Sequence, residues 1–166
     1  MSTIAADLGL ASVCEREHPV LVGALGLYLG DRTEAEDIAQ EALVRLVQRW
    51  PLDGVENPGA WVMRVAFNLA TSSFRRRSSQ RRALDRLAQR APTHEANDTA
   101  EVLAVRRAIL ALPDRQRCAV VLRYFADLSV RDTAHHLGCP EGTVKTLVHQ
   151  AIKTLRHAGL EVTADD

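Results

Sequence analysis

SVRDTAHHLGCPEGTVKTLVHQAIKTLR, Ser129 to Arg156, is the stretch from which the fold can be read. Ser129 has an acid three residues on at Asp132, the spacing of a capping box, so a helix is expected to start there. Gly138 suits the left-handed residue that closes a helix, and Pro140 prevents continuation. Pro140-Glu141 then opens a second helix, with an acid against its positive end. On that helix Val144, Val148, Ala151 and Leu155 share one face by steps of four, three and four. Two short helices around a Gly-centred turn, with small Ala134 where they approach, make a helix-turn-helix. Its second helix would present Glu141, Gly142, Thr143, Lys145, Thr146, His149 and Gln150 to a DNA major groove, with Lys153 and Arg156 adding mild positive charge. An αα-hairpin in an ordinary helical core has the same local pattern. The rest of the chain has to choose between them.

The chain has 166 residues, 46% of them hydrophobic but only 4% aromatic. Many Ala, Leu, Arg and Glu with few β-branched runs favour an all-α protein, with room for one medium domain or two small ones. The formal net charge is zero, but it is segregated along the chain. Residues 1–63 carry 4 basic and 10 acidic side chains, residues 64–90 carry 8 and 1, and residues 91–166 carry 9 and 10. That asymmetry suggests one face for a polyanion and another for a different partner.

Several classes are disfavoured. Cys14, Cys118 and Cys139 are too few and scattered for a disulfide framework or paired metal ligands. His135, His136 and Cys139 lie close together, but Cys139 falls on the inward side of the turn, so packing is the expected role and no metal site is assigned. The N-terminus has no basic n-region and carries Asp7 within its apolar stretch, so no signal peptide is expected. No apolar run approaches membrane-spanning length, so no membrane insertion and a cytoplasmic location are expected. No Gly-rich phosphate loop or nucleophile–base spacing is present; an enzyme is not expected, nor a cofactor.

Taken in order, residues 18–29 read as a helix starting at Pro19 and ending at Gly30-Asp31, with Gly23 and Gly26 tolerated through close packing. Thr33, with Glu36 three residues on, is expected to cap the next helix, whose stripe is Ala35, Ile38, Ala42, Leu46 and Trp50, stopped by Pro51. Glu34, Glu36, Asp37, Gln40 and Glu41 crowd its outer face. Acids there complement the helix dipole for a few tenths of a kcal/mol each, or they meet a basic protein; the residues leave both readings open.

Asn57-Pro58 is a further N-cap and first-turn pair, opening a long helix with Trp61, Val62, Val65 and Leu69 as its buried stripe. Arg64, Asn68, Ser72, Arg75 and Arg76 share a neighbouring face, and Arg77, Arg81, Arg82, Arg86 and Arg90 extend the ridge. A charge run is usually a solvated face. An Arg run with almost no acids repels itself, however, and is better explained by phosphate contacts and by stacking on unpaired bases. Residues 91–100 have no useful periodicity and read as a flexible linker. Beyond it come a helix with Val102, Val105, Ile109 and Leu112, another with Val120, Val121 and Tyr124, and the helix-turn-helix.

Three stretches together resemble the extracytoplasmic-function (group IV) branch of the bacterial sigma-70 family of sigma factors. GDRTEAEDIAQEALVRL is similar to the family's regions 2.1–2.2, and PGAWVMRVAFNLATSSFRRR to regions 2.3–2.4. ALPDRQRCAVVLRYFADLSVRDTAHHLGCPEGTVKTLVHQAIKTLR is similar to region 4. The resemblance implies a region 2-like domain over residues 1–90, a linker over 91–100 and a region 4-like domain over 101–166. It implies a promoter-specificity subunit of RNA polymerase, monomeric when free, that binds the core enzyme through its β′ coiled coil and β subunit, and promoter DNA. A clamping anti-sigma factor is a further partner the resemblance allows. Asp37, Gln40 and Glu41 match the positions that dock on the β′ coiled coil. Arg64, Asn68, Arg75, Arg76 and Arg77 match the helix that melts the −10 element. Thr143, Lys145, Thr146, His149, Gln150 and Lys153 match the helix that reads the −35 element. The chain departs from the family at Ser72, where an acid is usual, and at Thr133, where Ile is frequent. Leu147 and Gln150 stand at two common Arg positions, so weak or unusual −35 recognition is expected, with polymerase binding making up the deficit. The alternative is a free-standing helix-turn-helix regulator, which leaves the Arg ridge and the acidic face without a purpose.

Overall fold

Proline inside a helix removes one backbone hydrogen bond and strains the preceding turn, at a cost of about 3 kcal/mol. The first helix nevertheless runs straight through Pro19. In a computed structural model, which describes residues 2–84 and 99–162 (side chains from residue 9 on, except 74, 75 and 77–84), α1 spans Ser2–Leu29. The expected start at Pro19 is therefore wrong. Burial on both sides of the proline outweighs its cost: Val13 lies before it, and Leu21, Leu25 and Tyr28 after it.

The chain divides into two compact units, Met1–Arg86 and Leu87–Asp166. In the first, Gly30 (φ 70°) ends α1, its amide donating to the Gly26 carbonyl at 2.9 Å. Asp31 at once begins α2 (Arg32–Arg49), its side chain accepting from the Glu34 amide at 3.2 Å. Thr33, the expected cap, sits exposed in the first turn instead, because Asp31 already occupies the extended conformation that a cap needs. Ala35, Ala39, Ala42 and Leu46 are fully buried, whereas Ile38 and Trp50, expected in the stripe, are half-buried. Trp50 is the C-cap, turned out of the helical register.

Asn57 caps α3 (Pro58–Leu84) as expected, accepting from the Ala60 amide at 3.0 Å. The buried side of α3 is rotated from the expected one. Val62, Met63, Ala66, Phe67 and Ala70 are buried, while Trp61, Val65 and Leu69 are half-buried. The two candidate stripes lie side by side on the helix, and Phe67 is the residue that settles the choice. Its ring packs edge-on against Tyr28, centroids 5.2 Å apart. The Tyr28 hydroxyl and Thr71 Oγ1 lie 3.1 Å apart in a buried hydrogen bond, and Thr71 also donates to the Phe67 carbonyl at 2.7 Å. All three helices pack on one another.

Two glycines behave oppositely here. At Gly59 a β-carbon would come within 2.6 Å of the Glu17 carboxylate, the movable end of that side chain, so a larger residue there would have to push it aside. At Gly26 a β-carbon would meet nothing within 4 Å, so close packing is not the reason for that residue. Gly26→Ala is accordingly expected to stabilise the unit by about 0.5–1 kcal/mol through lost unfolded-state entropy, read as a raised melting temperature.

In the second unit Thr99 caps α4 (Ala100–Leu110), accepting from the Val102 amide at 3.3 Å. Ile109 and Leu112 are buried as expected, but Val102 is 41% exposed. The chain restarts after Pro113 in α5 (Asp114–Tyr124), whose residues 117–122 are all buried. Tyr124, expected to mark its apolar side, is exposed. The helix-turn-helix follows as α6 (Val130–Leu137) and α7 (Glu141–His157), and α5, α6 and α7 pack pairwise. The expected linker at 91–100 lies, apart from residues 99 and 100, outside the described residues.

Candidate nucleic-acid interface

The helix-turn-helix is built by its caps. Ser129 Oγ accepts from the Asp132 amide at 3.0 Å, and its hydroxyl donates to the Asp132 carboxylate at 2.8 Å. Gly138 adopts φ 60°, ψ 43°, and the Cys139 amide donates back to the Ala134 carbonyl at 3.0 Å. Val144, Ala151, Ile152 and Leu155 bury one side of α7, with Val148 half-buried. The opposite side leaves Lys145, Thr146, His149, Gln150 and Lys153 exposed, together with Glu141 and Gly142. Thr143 and Leu147 are half-buried between the two. Thr146 is turned onto its own helix, donating to the Gly142 carbonyl at 3.0 Å. Gln150 takes a bond from outside α7: Gln116 Nε2 on α5 donates to its Oε1 at 3.3 Å.

Thr133 is fully buried in α6 and its hydroxyl has no hydrogen-bond partner. A desolvated hydroxyl without a partner costs about 1–3 kcal/mol. Thr133→Val keeps the shape and removes that cost, so it is expected to raise stability by about 1 kcal/mol in thermal denaturation.

On α3, Arg64, Asn68, Ser72 and Arg76 are exposed at successive four-residue steps, one row along the outer face. Ser72 donates to the Asn68 carbonyl at 3.1 Å, and Arg76 Nε to the Ser72 carbonyl at 3.3 Å. The row contains no carboxylate, because the position where an acid was expected holds Ser72. Trp61, Val65 and Leu69 run beside it, half-buried, as an apolar flank. The side chains of Arg75 and Arg77, and residues 81, 82, 86 and 90 of the ridge, lie outside the described side chains.

On α2 the acidic cluster divides. Glu34 turns inward and accepts from the Ser73 hydroxyl, and Glu36 pairs with Arg32 at 2.8 Å. Asp37, Gln40 and Glu41 remain exposed, Glu41 facing Arg45 at 3.0 Å. An exposed pair of this kind contributes only about 0.3–0.5 kcal/mol, so Glu41 exchanges partners at little cost. The face continues into Val44 and Val47, 48% and 51% exposed. Sequence reasoning passed over these two valines. The available signal was their position, one and two turns beyond Gln40 and off the Ala35–Leu46 stripe.

Among the described residues no three His, Cys, Asp or Glu side chains are grouped to hold a metal ion. Burial pushes the Cys14 thiol above its ordinary range, which disfavours the reactive thiolate. No helix among the described residues is long and apolar enough to cross a membrane.

Comparison with known proteins assigns each unit. Residues 13–80 match Sigma-70 region 2, and residues 103–155 match Sigma-70, region 4. The RNA polymerase sigma-E factor of Streptomyces avermitilis is 34% identical over 133 residues, covering 76% of this chain and 71% of that protein. The ECF RNA polymerase sigma factor SigL of Mycobacterium tuberculosis is 30% identical over 161 residues, covering 92% and 90%. Among solved structures, the sigma factor RpoE in complex with the anti-sigma factor NepR from Bartonella quintana superposes with a TM-score of 0.63 at 22% identity, over 92% of this chain and 94% of that one. At that identity the likeness speaks to the fold.

Proposed function

The chain belongs to the extracytoplasmic-function branch of the sigma-70 family of RNA polymerase sigma factors, and from that membership we propose how its surfaces divide the work. Residues 1–90 form the unit that docks on core polymerase and opens the −10 element. Residues 91–100 connect it to residues 101–166, which read the −35 element. The observation that carries this reading is the segregation of two exposed faces within the first unit: Asp37, Gln40 and Glu41 on α2, and the acid-free row Arg64, Asn68 and Arg76 on α3.

The α2 face suits a basic protein partner, the β′ coiled coil. Carboxylates give it electrostatic complementarity, and Val44 and Val47 give it apolar area to bury. On α3, guanidinium groups hold phosphates while the apolar flank of Trp61, Val65 and Leu69 borders the path of unpaired bases. Stacking one extruded base contributes about 1–3 kcal/mol, enough to bias strand opening once polymerase is in place. Arg75 and Arg77 extend this contact on the sequence pattern. On α7, Lys145, Thr146, His149, Gln150 and Lys153 face the −35 major groove, with Thr143 at the edge of the contact.

The sigma factor carries out no bond chemistry in this reading; it is a binding subunit acting in the cytoplasm with core polymerase. Leu147 is half-buried and has no hydrogen-bonding group to offer a base edge, which supports weak −35 recognition and a larger share for polymerase docking. The exposed faces are also where an anti-sigma factor would compete. Run-off transcription with core polymerase on a library of promoter fragments tests the assignment. Specific transcripts are expected only when the chain is added, and they should share a −10 sequence more strictly than a −35 sequence. Promoter selection by the chain alone, as a dimer on palindromic duplex sites, would point instead to a free-standing regulator.

A further inference from the structure

We infer that Gln116, on α5 and outside the helix-turn-helix, is a positioning residue that sets which base edge Gln150 reads. The inference rests on the reading of α7 as the duplex-reading helix. A glutamine amide carries a carbonyl acceptor and an NH2 donor, and when both are free it pairs bidentately with adenine N6 and N7. Here they are not both free. Gln116 Nε2 donates to Gln150 Oε1 at 3.3 Å, so the Gln150 carbonyl is engaged by its own protein and its NH2 is left to face outward.

The direction of this bond follows from what lies behind it. Gln116 Oε1 is buried without a hydrogen-bond partner. Turning both amides over would reverse the bond and bury the Gln116 NH2 in that place. Two donors would then lack partners where now one acceptor does, and buried orphan N–H groups are the rarer and costlier case. Gln116 is also held in place by its helix. Its neighbours Arg117 and Cys118 are buried, Arg117 is paired with Asp114 at 3.0 Å, and α5 packs on α7.

Gln150 is therefore turned with its NH2 outward, while its carbonyl has one lone pair committed to Gln116. In that orientation it favours a base presenting only acceptors to it, guanine through O6 and N7 first and thymine through O4 second, over the bidentate adenine contact, which needs carbonyl and NH2 turned together toward one base edge. The residue that makes it so is not on the recognition helix.

The test is selection from a library randomised across the −35 element, using the full chain with core polymerase and reading base enrichment at each position. Wild type is expected to enrich guanine or thymine at one position that Gln150→Ala flattens. Gln116→Met, which keeps bulk and loses the donor, should reduce enrichment at that same position by roughly three- to tenfold, the value of one hydrogen bond, and leave the other positions alone. Gln116→Lys, a donor only, should retain the wild-type preference. Gln116→Glu, an acceptor only, should capture the Gln150 NH2 and turn the preference toward cytosine and adenine, whose amino groups donate. If Gln150→Ala changes one position while Gln116→Met and Gln116→Glu change none, Gln116 has no positioning role and the reading of α7 stands. If Gln150→Ala changes no position, the assignment of α7 is wrong and the inference goes with it. A wild-type preference for adenine or cytosine at that position also overturns it.

Discussion

Replacing Asp37 and Glu41 together by arginine is expected to weaken binding to core polymerase by at least about a hundredfold, since like charges forced together at an interface cost several kcal/mol. Folding should be nearly unaffected. Both side chains are exposed, and the one local ion pair at stake, Glu41 with Arg45, is a surface pair of the kind that contributes little. A native pull-down or calorimetric titration with core enzyme measures the loss, and circular dichroism and thermal melting check the fold. Because exposed charges act partly by steering encounter, the residual affinity should depend less on salt than that of wild type. Normal association of the doubly reversed chain would remove the docking face from α2. A smaller loss from Val44→Ser with Val47→Ser would show that the apolar end of the same face is buried in the complex.

The second large effect concerns α3. Arg75→Ala with Arg76→Ala should leave core binding intact and reduce open-complex formation by about two to four orders of magnitude, given two phosphate-directed guanidinium groups at roughly 1.5–3 kcal/mol for each charged hydrogen bond. Permanganate reactivity of −10 thymines reports strand opening directly. Undiminished reactivity in the double variant would refute the placement of the −10 strand along this row. Single replacement of Asn68 should have a smaller effect, because a neutral amide offers no charge to a phosphate.

Much of this architecture was legible in the sequence wherever a cap marks a boundary. Ser129, Gly138, Pro140 and Asn57 each place a helix end by local chemistry, and each does so in the structure. Reasoning from local signals fails where two of them compete or where distant packing overrides them. Asp31 and Thr33 are both good caps, and only the turn at Gly30 selects the first. Pro19 is a strong start signal overruled by Leu21, Leu25 and Tyr28 meeting the other helices. On α3 the rotation of the core from Val65 and Leu69 to Ala66 and Phe67 depends on the Tyr28 ring, 39 positions before Phe67 in the chain.

The candidate sites were legible as charge and spacing but not as commitments. Periodicity groups Glu34 with Asp37 and Glu41, whereas in the folded protein Glu34 is bound to Ser73 of α3. Spacing places Gln150 on the exposed face of α7 and says nothing of Gln116, which reaches it from 34 residues away.

If the outer row of α3 holds the −10 strand as proposed, the buried hydrogen bond between Tyr28 and Thr71 bears on how DNA is caught. Thr71 sits beside Ser72 in the chain, so the bond fixes the roll of α3 about its own axis. Rolling Arg64 and Asn68 away from the surface would have to break it and lift Phe67 off the Tyr28 ring. The outward row therefore holds the orientation the proposed contact needs before any promoter arrives. The entropy of aligning it is spent during folding rather than at the moment two strands part, and a flipped base meets a rigid template.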